Sequence, residues 1–369
     1  MTEKIKSRDS NFELLRIFSM IFIILFHCVF KSYFQYSELT INTLFIKTCW
    51  FLGELGVNLF ILITGYYLSK SSFSIKKIIL IILEVYFYNI INYTIGYSVG
   101  HILDIPKATL LFPIASNAYW FMSAYVLIYL LSPYYNKLIK SLSKKSFQKF
   151  IFVNLLIWAV IPSILGLHFG DSESFSLYNR FIWLTFIYFV GGYIRKYNIK
   201  FFNSKKNCII LSCSTLLLMM LSIVFLYIVK VNLKLDNLEI AYLWTPNNIF
   251  MFILSISVFM LFKNINIGNN FIVNKISSAT LGIYLLHDGA LAIYIWYNIF
   301  KSNVFIYSKI WFIYAIGSTF AIFLIGMLID WIRQFIEKKI IIKILDLKIW
   351  NNVYKQIEKK TLKLVRKFI

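Results

Sequence analysis

Two ionisable side chains, Arg16 and His27, stand inside one apolar stretch, Asn11-Phe-Glu-Leu-Leu-Arg-Ile-Phe-Ser-Met-Ile-Phe-Ile-Ile-Leu-Phe-His-Cys. On a helix the steps between them make about three turns plus roughly 20°, so both project from nearly one face, about 16 Å apart along the axis. A guanidinium suits an anionic phosphate or carboxylate, and an imidazole suits proton transfer near neutral pH. Held within a bilayer, such groups cost about 3 kcal/mol or more unless they line a cavity or a wet path, so the pair reads as a functional site.

Other polar groups interrupt apolar runs at comparable depth. Glu54 and Asn58 lie one helical turn apart in Phe51-Leu-Gly-Glu-Leu-Gly-Val-Asn-Leu-Phe. A Glu54 carboxylate accepting from one imidazole nitrogen of His27 would fix the tautomer and leave the other nitrogen as a general base. Equally, Glu54 can sit among headgroups and meet water. Glu84 falls near the middle of the third run and calls for a cation or tyrosine partner. His287 and Asp288, in Leu281-Gly-Ile-Tyr-Leu-Leu-His-Asp, fall about halfway along the ninth, a costly place for an idle pair. His101 and His168 sit at run ends and read as interfacial. Gly53, Gly56 and Gly65 suit close helix approach. The four cysteines, Cys28, Cys49, Cys208 and Cys213, lack metal-type spacing and read as small apolar side chains.

The elements that must position these groups are membrane helices. The 369 residues are 59% hydrophobic and 19% aromatic with only 15% charged, and mean hydropathy is +0.72, which excludes an ordinary soluble domain. The expected fold is an all-α integral membrane bundle of about ten spans. These run roughly 12–32, 44–69, 76–95, 119–138, 150–168, 181–194, 208–229, 245–262, 277–296 and 310–332, the sixth being short for a bilayer that needs ~20 residues. The first run carries Glu13 and Arg16 and lacks a small-residue cleavage site, so it reads as a retained span, not a signal peptide.

A net charge of +22 would suggest nucleic acid in a soluble protein, but no recognition motif accompanies it. The charge instead follows the loops. With a cytoplasmic N-terminus, 29 of the 38 Lys and Arg residues fall in alternate inner segments and 8 in outer ones, Arg16 being the last. That asymmetry places both termini in the cytoplasm. The chain divides into a short N-terminus (1–11), the membrane domain (12–332) and a tail (333–369). The tail alternates Ile, Leu, Trp and Phe with Lys and Arg, as a helix lying on an anionic inner leaflet would. Oligomeric state leaves no signal in the sequence.

Taken in order, four segments resemble the membrane-bound acyltransferase type 3 family. They are Asn-Phe-Glu-Leu-Leu-Arg followed by His27, Gly56-Val-Asn-Leu-Phe-Ile-Leu-Ile-Thr-Gly-Tyr, Tyr119-Trp-Phe-Met-Ser-Ala-Tyr with its following Leu-Leu-Ser-Pro, and Leu281-Gly-Ile-Tyr-Leu-Leu-His-Asp. Many members of that family acylate surface polysaccharides. The resemblance implies an acyl-coenzyme A donor taken from the cytoplasm, a glycan hydroxyl as acceptor on the other side of the cell membrane, and Arg16 and His27 as the essential pair. Where the family often carries arginines at the start of the third span, this chain has Lys76 and Lys77, which attract phosphate as point charges without bidentate geometry. None of these segments is expected to form the hydrolase-like domain of some relatives.

On this reading Arg16, Lys76 and Lys77 meet the phosphates of the donor, and His27 deprotonates the acceptor hydroxyl. Asn58, Trp120, Tyr125 and His287 are candidates to touch the substrate or donate to the developing oxyanion, although Trp120 and its neighbours equally suit an interfacial aromatic belt. A covalent relay through His27 or Ser19 is a variant of the same chemistry. No resident cofactor or metal is expected. A different class, a transporter of lipid-linked oligosaccharide, would also place charges inside the membrane, but no internal repeat of broken spans supports it.

Overall fold

The computed structural model describes residues 9–32, 39–101, 106–165, 179–235, 240 and 245–367, and every regular element among them is helical. The stretch holding Arg16 and His27 forms one helix, α1 (Ser10–Phe30), which packs along α2 (Ile41–Leu68). The Thr40 side chain starts α2 by accepting from the Thr43 N–H at 3.1 Å, a cap that satisfies one otherwise orphan donor. There follow α3 (Ile75–Ser98), α4 (Trp120–Ser141), α5 (Lys144–Ile164), α6 (Arg180–Lys196), α7 (Lys205–Asn232) and α8 (Ile249–Lys263). Next come α9 (Phe271–Ser277), α10 (Thr280–His287), α11 (Trp311–Lys339) and α12 (Lys348–Lys367).

Glycine sets the closest crossing. A Cβ on Gly65 of α2 would fall 2.2 Å from the backbone oxygen of Tyr188, and one on Gly191 of α6 would fall 2.5 Å from that of Leu62. Neither side could carry even an alanine without backbone movement, so the two helices meet main chain to main chain. As a result α6 lies deep in the protein: every residue from Trp183 to Ile194 except Thr185 is buried.

Among the described residues six helices are long and apolar enough to cross a membrane, and a seventh span is formed if Phe271–His287 and Ala292–Ile299 count as one broken by a 91° bend. This is fewer than the ten spans expected, and the reasons are physical. At 17 and 15 residues, α6 and α8 reach only about 25 and 22 Å, short of the ~30 Å hydrocarbon core. The 22 residues of α4 are long enough but include Ser132, Asn136, Lys137 and Lys140. His168 and most of residues 1–11 lie outside the described residues.

Glu84 does find a cation. Arg333 of α11 reaches it at 3.0 Å and also holds Asp330 at 2.6 Å and Glu337. Asp330 is fully buried and takes further hydrogen bonds from Tyr88 (2.9 Å) and Gln334 (2.7 Å), so this charge cluster locks α3 to α11. Below it, α12 docks on the same end of the bundle. Tyr354 and Val365 are buried, Lys137 donates to the Val365 oxygen at 2.9 Å, and the Ile75 N–H donates to Glu358 at 2.9 Å. All four cysteines are unpaired.

Candidate active site

A cavity of about 750 Å³ runs beside α1, and Arg16 and His27 both line it with Trp120, Tyr125, Tyr284 and Asp288. The face shared along α1 is therefore open to one space. At the first turn of α1, Glu13 steadies the arginine at 3.4 Å while accepting from Ser277 Oγ at 2.6 Å. Arg16 keeps a third of its side chain exposed, so a guanidinium edge remains presented to an anion.

At the other end His27 is buried, and each of its ring nitrogens has a polar neighbour. Its Nδ1 lies 2.9 Å from Nε2 of His287, and its Nε2 lies 3.3 Å from Oδ1 of Asp288. Asp288 is the cap residue of α10, and the chain turns away immediately after it. Neighbouring residues at a helix end point about 100° apart, and the His27 ring lies between these two, so consecutive residues reach two sides of one imidazole.

The hydrogen bonds assign the tautomers. His287 Nδ1 lies 2.6 Å from the Ile283 carbonyl oxygen, which can only accept, so that nitrogen carries the proton. In neutral His287, Nε2 is then an acceptor, and His27 Nδ1–H donates to it. This leaves the Nε2 lone pair of His27 available at the cavity. When that nitrogen takes a proton, the Asp288 carboxylate 3.3 Å away supplies the counter-charge of the imidazolium.

Beyond His27 the cavity wall is basic and aromatic. Lys31 and Lys47 line it, and Arg180 sits 4.6 Å from the Trp120 ring centroid and 3.3 Å from Glu54.

Several expected contacts fall elsewhere. Glu54 lines the cavity but is held by Arg180 and not by His27, whose Nδ1 belongs to His287. His287 lies behind His27 and does not line the cavity, so it is placed to orient an imidazole, not to touch an oxyanion. Asn58 is fully buried away from the cavity. Its amide accepts from Trp183 Nε1 at 3.0 Å and donates to Ser255 Oγ at 3.2 Å, which uses the groups an oxyanion would need. Neither Lys76 nor Lys77 lines the cavity, and Lys76 is tied to Asp346. The Ser19 hydroxyl is buried and donates to the Leu15 carbonyl at 2.8 Å, out of reach of a substrate. Trp120 and Tyr125 do line the cavity. Among the described residues no group of three or more His, Cys, Asp and Glu side chains is arranged to hold a metal ion.

The sequence reading missed Glu13, Lys31, Arg180 and the role of Asp288. Glu13 was visible as a carboxylate one turn before Arg16, and Asp288 as the polar neighbour of a mid-run histidine. A family model described as an acyltransferase domain, type 3, matches residues 9–331, which takes in every cavity residue named above. No curated protein and no solved structure matches the chain.

Proposed function

The chain belongs to the type 3 family of acyltransferase domains, and from that premise we propose that it moves an acyl group, acetyl by preference, from acyl-coenzyme A to a hydroxyl of a surface or lipid-linked glycan. The observation that carries this reading is the single cavity touching both Arg16 and His27. Coenzyme A is polyanionic at one end and carries the thioester at the end of a long flexible arm. With its phosphates at Arg16, that arm needs to follow α1 for only about 16 Å to bring the thioester to His27.

The acceptor hydroxyl then sits against His27 Nε2. As its oxygen bonds to the thioester carbonyl carbon, His27 takes the hydroxyl proton and Asp288 meets the resulting imidazolium. Tyr125 and Trp120 are among the cavity-lining residues that can donate to the developing oxyanion. Collapse of the intermediate breaks the carbon–sulfur bond, and His27 returns its proton to the leaving thiolate. The products are the glycan ester and free coenzyme A. General-base assistance of this kind is worth ~10²–10⁴ in rate.

The basic inner loops and tail support an orientation with both termini in the cytoplasm of a cell membrane, where the donor is made, and α12 resting on its anionic leaflet. The transporter reading has no observation favouring it over transfer. The test uses membranes containing the protein and labelled acetyl-coenzyme A. His27→Ala abolishes transfer of label to glycan, and unchanged transfer would end the proposal. Arg16→Lys weakens use of the donor, and an unmoved donor KM would remove the role given to Arg16.

A further inference from the structure

Coenzyme A carries phosphate in two places, a diphosphate joined to the thioester arm and a 3′-phosphate on the ribose beyond it. Arg16 can meet one of them, and Lys76 and Lys77 stand outside the cavity. The same end of the bundle supplies a second guanidinium. Arg195 lies in the last turn of α6, beside the end of α2 that carries Tyr66 and Tyr67. Its guanidinium carbon sits 4.6 Å from the Tyr66 ring centroid and 5.9 Å from that of Tyr67, and Nη1 donates to the Tyr66 hydroxyl at 2.9 Å. Two rings that meet edge to face at 5.2 Å thus hold the planar fork in one orientation before any ligand arrives.

What this group lacks is an anion. Among the described residues no carboxylate lies within ion-pair distance of Arg195, and its Nε is buried without an acceptor, a costly condition for a guanidinium N–H. The next residue shows the contrast: the Lys196 ammonium donates to the Ile139 and Leu142 oxygens, both at 2.7 Å. Asp9, the acidic group at these rings, accepts from the Tyr67 hydroxyl at 2.6 Å. Tyr66 accepts from Arg195, and its own hydroxyl proton has no acceptor among the described residues. A fork and an O–H therefore stand side by side with bonds still to give. The same rings tie them to Arg16. Phe12 of α1 packs on both, 5.1 Å from Tyr66 and 5.4 Å from Tyr67, and Arg16 follows Phe12 by about one helical turn. Tyr67 lies within the field of Arg16. Arg16 lines the cavity and Arg195 does not, so Arg195 stands outside it at the Arg16 end.

We propose that Arg195 and the Tyr66 hydroxyl bind the ribose 3′-phosphate of the donor, while Arg16 meets the diphosphate beside the thioester arm. This rests on the acyl-coenzyme A reading and adds to it a second phosphate site, with a preference for the donor over its 3′-dephospho form. A phosphate monoester offers three oxygens and up to two charges, which suits a planar fork and a hydroxyl acting together.

The test compares labelled acetyl-coenzyme A with its 3′-dephospho form as donors in membranes containing the protein. The parent protein shows a KM about tenfold lower for the 3′-phosphorylated donor. Arg195→Gln raises that KM to the level of the 3′-dephospho donor, whose own KM stays in place, and Arg195→Lys recovers part of the preference. Transfer with equal KM for the two donors, or a preference that survives Arg195→Gln, overturns the inference and leaves acyl transfer standing. No transfer from either donor by the parent protein overturns both. A binding measurement separates the site from catalysis: calorimetric titration of the purified protein with adenosine 3′,5′-bisphosphate gives a Kd about tenfold weaker in Arg195→Gln, with thermal unfolding as the control for folding. Equal Kd in the two proteins contradicts the assignment. A lipid headgroup is the other source of phosphate at this depth. If anionic phospholipid in nanodiscs stabilises the parent protein but not Arg195→Gln while the donor preference is the same in both, the site belongs to lipid and the proposal fails.

Discussion

His287→Ala removes the acceptor of the His27 Nδ1–H bond, which is 2.9 Å long and buried. Without it the ring gains by moving its proton to Nε2, which faces the Asp288 carboxylate 3.3 Å away, and the lone pair needed for catalysis disappears. Returning to the productive tautomer leaves a buried N–H unpaired, a penalty of about 1–3 kcal/mol. At about 1.4 kcal/mol per tenfold, kcat falls by roughly 5- to 150-fold. The KM for acyl-coenzyme A stays where it was, because Arg16 and the donor arm are untouched. His287→Gln is the informative partner: its amide oxygen falls near the position of Nε2 and can accept the same bond, so it keeps most of the lost activity. The assay is transfer of label from acetyl-coenzyme A to extracted glycan in membranes, with thermal unfolding of each variant as the control for folding. A fully active His287→Ala, or a His287→Gln no better than alanine in an equally stable protein, refutes the orienting role.

Arg333→Ala leaves fully buried Asp330 and Glu84 without their cation and lowers stability by about 3–5 kcal/mol in a denaturant series, a larger loss than in Arg333→Met combined with Asp330→Asn and Glu84→Gln. A loss within 1 kcal/mol for the single variant contradicts the account of how α3 is fixed to α11. Gly65→Ala drives a methyl into the Tyr188 carbonyl and costs about 1–3 kcal/mol or prevents assembly, read by the yield of folded protein in detergent; wild-type yield and melting refute the close crossing. Lys76→Gln moves the acyl-coenzyme A KM less than twofold, because Lys76 is bound to Asp346 outside the cavity, whereas Arg16→Gln raises it about tenfold. The reverse order of effects would return donor binding to the lysine pair.

The part of the site that one helix determines was legible. Arg16 and His27 share a face because the spacing between them fits three turns, and nothing outside α1 is needed to see it. The partner of His27 was not legible, because it comes from a helix 260 residues further along the chain. The 277–296 stretch was read as one continuous span, whereas it breaks after Asp288, and nothing in its local pattern says that His287 and Asp288 meet the ring of His27 on α1. Glu54 was assigned by depth alone. Depth does not say which neighbour faces a carboxylate, and Arg180, arriving at the first residue of α6, takes it. Asn58 fails as an oxyanion donor for a related reason: one turn below Glu54, it faces Trp183 of the same helix. The six or seven long apolar helices among the described residues do not by themselves reach the ten spans expected, because α6 and α8 stop short of a bilayer's width and α4 carries polar residues. The glycines of α2 were correctly read as packing residues because helix contact needs only local sequence to be possible.

The central claim is that one cavity holds donor and base together along α1, and a structure of the protein with a thioether analogue of acetyl-coenzyme A tests it most directly. The account predicts phosphates at the Arg16 guanidinium and the acyl carbonyl beside His27, with space for one hydroxyl at Nε2. An analogue bound with its acyl end away from His27, or with lipid or packed side chains filling the space between Arg16 and His27, contradicts it.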